Sequence, residues 1–252
     1  MSIVDSSPDA GKNDHPCCEL NNWARTAATE PDRIRRIYAE REEPGEGPLD
    51  VFRLMVRHGL QQQLLLFFRA AGVTSLDTLR ILDVGCGSGG NLRRLSDFGA
   101  LPENCFGIDL LSQSLRGARR LSPNICFAEA NAAQLPFANE VFDLVFQFTV
   151  LTSVLDSDLR ACIVREIWRV LRPGGYFILY DFAYSNPANP NVRGIGRKEL
   201  TQLLQGFRVR FHRLTLAPPL GRRAARISPF LYRVLAAIPL LRTHYLCFAL
   251  KP

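Results

Sequence analysis

Asp83, Asp109 and the glycines between them hold most of the chemistry that can be read from this chain. Asp83 precedes glycines at 85, 87, 89 and 90, and Asp109 follows Gly85 by 24 residues. Before the glycines, Ile81, Leu82 and Val84 form an apolar β-rich run; after them, Leu92 and Leu95 begin a helical spacing. Glycines let the backbone take positive φ and approach a ligand closely. A helix start beyond them offers free N–H groups to an electron-rich partner. The arrangement suits a nucleotide-like ligand held over the end of a parallel strand. Gly85, Gly87 and Gly90 also satisfy the G-x-G-x-x-G dinucleotide pattern. Asp83 tips the balance, because an acid there would repel a pyrophosphate and suits a ligand with an ammonium group.

The stretch Asp83-Val84-Gly85-Cys86-Gly87-Ser88-Gly89 resembles the acid-x-Gly-x-Gly-x-Gly motif of class I S-adenosylmethionine-dependent methyltransferases. Further blocks follow in that family's order: a strand ending at Asp109, Asn131 to Phe137, Val141 to Phe146, and Leu171 to Tyr180 with Pro173, Gly174 and Gly175. They cover residues 75–183, and their conjunction is far more specific than any one of them. The resemblance implies S-adenosyl-L-methionine as cofactor, with Asp83, Gly85, Cys86, Gly87, Asp109, Leu110, Asn131, Ala132 and Gln147 around it. A carboxylate at position 109 can accept both ribose hydroxyls. The family's adenine-edge block usually opens with an acid; Asn131 departs from that and keeps a carbonyl oxygen to face the adenine amino group.

From Ile81 onward, strand and helix patterns alternate, which predicts a doubly wound parallel sheet. The expected fold is α/β: a Rossmann-like seven-stranded sheet with an antiparallel last strand and helices on both faces. Residues 1–22 are polar and turn-rich and are expected to be disordered. Residues 23–72 read as an N-terminal helical cap, with helices over 30–43 and 49–71. Residues 73–252 form the cofactor-binding domain. Helices placed like this cap cover cofactor and substrate in the family, so Tyr38 and His58 are candidates there. Asp181, at the end of the fifth strand, is the first candidate for a base or positioning carboxylate, and His58 the second.

The chain has 252 residues, 47% of them hydrophobic and 22% charged, in line with a soluble globular domain. No long uncharged apolar run predicts a membrane span, and the first residues lack the basic and apolar regions of a signal peptide. Seven cysteines without paired metal spacing read as reduced thiols, so no metal site and a cytoplasmic setting are expected. The net charge of +7 is uneven: residues 183–252 contain 12 basic side chains and one acid, Glu199.

Much of that basicity lies in 217–242, where Arg222, Arg223, Arg226, Arg233 and Arg242 stand beside Phe230, Leu231, Tyr232, Leu235 and Ile238. The expected strand order puts this insert at the ligand-binding edge. It reads as a capping helix with solvated arginines, as a lid for an anionic amphiphile, or as a helix on an anionic membrane surface. Its aromatics are not interleaved as a stacking platform, which disfavours nucleic acid. The fourth strand ends in Gln147-Phe148-Thr149-Val150, without the motifs of base methylation. The expectation is therefore methyl transfer to a small-molecule or glycan- or lipid-linked acceptor, at oxygen. Two alternatives stand beside it: a non-catalytic module binding the same cofactor, and another S-adenosyl group transferase such as an aminopropyltransferase.

Overall fold

The computed structural model describes residues 20–40 and 49–252. The disorder expected over residues 1–22 therefore falls, for residues 1–19, outside the described residues, as does the segment 41–48. Two helices come first, α1 (Leu20–Ala39) and α2 (Val51–Ala70). Then follow β1 (Ile81–Val84), α3 (Gly90–Ser96), β2 (Cys105–Asp109), α4 (Ser112–Leu121), β3 (Cys126–Glu129) and β4 (Phe142–Phe148). The chain continues through α5 (Ser157–Val170), β5 (Leu171–Phe182), α6 (Arg197–Leu203) and β6 (Arg208–Leu216). It closes with α7 (Pro218–Ile227), α8 (Pro229–Ala236) and β7 (Arg242–Leu250).

The seven strands form one sheet in the order β3-β2-β1-β4-β5-β7-β6. β7 runs antiparallel between β5 and β6, pairing Tyr176 with Leu250 and Phe182 with His244. This is the expected topology. All four residues of β1 are buried, as a central strand covered on both faces requires. Leu82 and Val84 point into the core shared with α5 and α6, whereas Ile81 belongs to the core under α2, α3 and α4. Period-two alternation puts Asp83 on the second of these faces.

α2 is fastened to the sheet by aromatic packing. The Phe67 ring stacks on Phe248 at a centroid distance of 4.0 Å and meets Tyr176 edge-on at 4.8 Å. Burying one such ring contributes about 1.5–3 kcal/mol. Asp156 caps α5 by accepting from Asp158 and Leu159 N–H groups, as its place before an amphipathic helix predicts. The insert at 217–242 is the pair α7–α8. It packs on α2 through Phe52, Ala224, Ala225 and Tyr232. Because Leu216 pairs with Arg242 and Phe182 with His244, this insert leaves the sheet at the carboxyl ends of the parallel strands.

Among the described residues no helix is long and apolar enough to cross a membrane. Nor does any group of three or more His, Cys, Asp or Glu there suit a metal ion.

Candidate functional site

Four strands end side by side, and the segments leaving them wall a cavity of about 220 Å³. Gly85 and Gly87 come from the loop after β1, Asp109 and Leu110 from the end of β2, and Asn131 and Ala132 from the segment after β3. Thr149, Val150 and Ser153 follow β4, while Ile34 and Tyr38 of α1 close the cavity from outside the sheet. A cleft across the carboxyl ends of strands is where open α/β sheets bind ligands.

The glycine loop is tied down on both sides. Gly85 and Cys86 donate their N–H groups to the Ile108 carbonyl at 2.8 and 2.9 Å. Gly87 donates to Asp109 Oδ2 at 2.8 Å, and Leu111 N–H reaches Oδ1 at 2.8 Å. One carboxylate thus joins the loop after β1 to the turn after β2. Burial pushes the Asp109 carboxyl above the usual carboxylate range, against the pull of these backbone donors. Gly87 has a φ of 53°, and a Cβ there would stand in open space on the cavity side. That is a cradle which only a residue without a side chain leaves clear for a ligand.

Asp83 lies beneath the loop and is completely buried. Its Oδ1 has only a long contact of 3.5 Å from Asn91 Nδ2, and its Oδ2 has no hydrogen-bond partner. Burial pushes its carboxyl up to about 7, with Asn91 and Arg94 opposing the shift. A buried oxygen left unpaired is costly, so a site with a ligand to satisfy it is the physical expectation. A cation fits that oxygen and a phosphate does not.

A pH dependence follows from this group. Asp83 binds its proton more tightly folded than unfolded, so its contribution to stability is greatest below about pH 4 and is lost as pH rises to about 7. Asp83→Asn keeps the shape without the ionisation. Its melting midpoint should exceed that of the unsubstituted protein by a margin that is smallest near pH 5 and widest near pH 8. Thermal unfolding across that range checks this, and a margin independent of pH contradicts it.

The structure brings Gly85, Gly87, Asp109, Leu110, Asn131 and Ala132 together at the wall with Tyr38 of the cap, and it does not bring Cys86, Gln147, Asp181 or His58 there. The Cys86 side chain turns into the core under α3, where burial pushes its thiol far above its ordinary range. Gln147 is buried and donates Nε2 to Asp181 Oδ2 at 3.2 Å. Asp181 is likewise buried, and both of its oxygens already accept hydrogen bonds. Oδ1 takes the Thr152 hydroxyl and Phe182 N–H, while Oδ2 takes Gln147 and Thr152 N–H. Its visible work is to pin the turn Leu151–Ser153 to β5. His58 lines a different cavity, between α2, β6 and α8.

Beside Tyr38, which the cap predicts, Glu30, Arg33 and Arg160 contribute without any local signal in the sequence. Arg33 and Glu30 of α1 form an ion pair at 2.7 Å. Arg33 also donates to the Ser153 carbonyl at 2.6 Å, and Glu30 accepts from Leu155 N–H at 2.6 Å. The Tyr38 hydroxyl meets Ser153 Oγ at 2.6 Å. Three contacts therefore latch α1 over the segment after β4. Arg160, fully buried, holds that segment from behind through the Val154 carbonyl at 2.7 Å and pairs with Glu199 at 2.7 Å.

The family described as a methyltransferase domain matches residues 82–179, the span containing every strand end that walls the cavity. A fatty-acid O-methyltransferase from Mycolicibacterium smegmatis is 32% identical over 163 residues, covering 63% of this chain and 56% of that protein. The sterol 24-C-methyltransferase erg6 from Aspergillus fumigatus is 34% identical over 127 residues, covering 46% of this chain and 32% of that protein. The chain thus spans about half the length, or less, of these curated relatives. In fold it is similar to geranyl diphosphate C-methyltransferase from Streptomyces coelicolor A3(2), solved with Mg2+, geranyl diphosphate and S-adenosyl-L-homocysteine. The TM-score is 0.59 at 16% identity, over 88% of this chain and 98% of that one. With the acid and glycine motif seated at the cleft and the sheet closed by an antiparallel β7, residues 82–179 match the methyltransferase domain family, and the chain is similar to class I S-adenosylmethionine-dependent methyltransferases.

Proposed function

We propose that this chain methylates a small-molecule or lipid-linked acceptor at oxygen, and that the oxygen belongs to a carboxylate. The observation that carries the reading is the pairing of two carboxylates around one glycine loop. Asp109 is half-buried at the wall, and Asp83 is fully buried with an unpaired oxygen. Those residues fit S-adenosyl-L-methionine, which when bound supplies a methyl group on a good leaving group. Asp109 would take the ribose hydroxyls, Asn131 and the Ala132 N–H the adenine edge, and Leu110 the flat face of the base. Gly85 and Gly87 admit the methionine end, and Asp83 balances its ammonium. α1 shuts out water through its latch to Ser153 and Leu155. Positioning and dryness then do most of the work that such a displacement needs.

The carboxylate acceptor follows from what the wall offers. Among the described lining residues the titratable side chains are Asp109 and Tyr38, and Asp109 is bound to two backbone N–H groups. An alcohol must lose a proton as it reacts, so it needs a base within reach. A carboxylate arrives already ionised. The fatty-acid O-methyltransferase relative supports this choice by its name, and the sterol C-methyltransferase shows that related chains act at carbon.

Incubation with methyl-labelled cofactor and a panel of acyl carboxylates and hydroxylated lipids tests the reading. Label released as methanol by mild alkali marks a methyl ester and is the expected result. Alkali-stable product would mean an ether or a C-methyl group instead. Cofactor binding without transfer to any acceptor would make the chain a binding module.

A further inference from the structure

Three consecutive elements at the strand carboxyl edge leave large apolar side chains in solvent. Ile227 at the end of α7 is 75% exposed, Phe230 in α8 is 75% exposed, and Leu240 in the turn before β7 is 88% exposed. Their neighbours Arg223, Arg226 and Arg233 are exposed as well. α7 buries Ala224 and Ala225, and α8 buries Tyr232, in one cluster with Phe52 of α2. Both helices therefore face inward to the same place and present their other sides outward together. A monomer surface usually carries single apolar residues, and a patch interleaved with charge of one sign marks an interaction site. No acidic residue follows Glu199 in the sequence, so nothing within the segment offsets the arginines.

We propose that the outer face of α7, α8 and the turn Pro239–Leu241 docks on an anionic lipid bilayer. Isoleucine, phenylalanine and leucine at this exposure suit the boundary between headgroups and acyl chains, and the arginines suit lipid phosphates above it. Charge complementarity selects the occupant. An acidic surface is required, and the apolar tips need an interior to enter, which a polyanion such as RNA lacks. Docking here turns the sheet edge that carries the cavity toward the lipid. The inference goes beyond the methyl-transfer reading and does not depend on it.

The test is co-sedimentation of the full chain with vesicles of phosphatidylcholine alone or with about 30% phosphatidylglycerol. Binding is expected to the anionic vesicles, to weaken with salt, and to be nearly absent on the neutral ones. Replacing Arg223, Arg226 and Arg233 together with glutamine should lower the partition coefficient roughly 100-fold. The pair Phe230→Ser and Leu240→Ser should abolish stable binding. All five positions face solvent, so melting midpoints should stay unchanged and separate a docking defect from a folding one. Equal sedimentation of the variants and the unsubstituted protein would overturn the proposal. So would no binding to anionic vesicles, a dimer in solution whose interface hides these residues, or RNA binding through the same arginines in place of vesicle binding.

Discussion

Asp109→Ala should weaken the binding of S-adenosylmethionine about 100-fold or more, with the fold retained. Two effects combine. The carboxylate accepts from Gly87 and Leu111 N–H groups, each at 2.8 Å, and so holds the glycine loop at its distance from the end of β2. On the proposed reading it also takes the ribose hydroxyls with its remaining lone pairs. Hydrogen bonds to a charged group contribute roughly 1.5–3 kcal/mol each, so losing two crosses two decades in affinity. Asp109→Asn keeps one acceptor and the shape, and its loss should stop near tenfold. Titration calorimetry on both variants measures this. An alanine variant with unchanged affinity would remove Asp109 from the site.

Gly85→Ala should be the most damaging single methyl added to the loop, costing about 3 kcal/mol of stability and most of the cofactor affinity. Gly85 has a φ of 73°, which costs an L-residue roughly 1–2 kcal/mol. Its new Cβ would also lie 2.2 Å from Val150 Cγ2, a contact no real structure keeps. Overpacking of this kind costs about 1–3 kcal/mol. The two components separate in a double variant, because Val150→Ala removes the offending methyl and leaves Val150 Cβ at 3.6 Å. Gly85→Ala with Val150→Ala should therefore regain about half of the lost stability, while the backbone part remains. Urea unfolding of the four proteins in the cycle measures this, and simple additivity would show that the two residues do not meet.

The parts of the site that could be read in advance are those encoded within a few residues. Gly85 and Gly87 of the loop after β1, the acid ending β2, and the Asn131–Ala132 pair each announce a local backbone task, and all line the cavity. Strand order was legible for the same reason, since alternating strand and helix leaves few ways to wind a sheet. Asp181 shows where local reading stops. Its place at the end of β5 is readable, but whether its oxygens are free depends on Thr152 and Gln147, which lie 29 and 34 residues away in the chain. His58 fails similarly, because a helical pattern says which residues share a face and not which cavity that face meets. The latch of Glu30 and Arg33 joins groups 120 or more residues apart and leaves no local trace. Thr149 adopts a φ of 58°, and a β-branched residue gives no warning of a left-handed turn.

The proposed binding of an adenosyl sulfonium between a wall carboxylate and a buried one is tested most directly by calorimetry with three ligands. S-adenosylmethionine and S-adenosylhomocysteine should both bind, and NADH should give no heat, because Asp83 repels its pyrophosphate. Binding of NADH with no heat from either adenosyl compound would contradict the central claim.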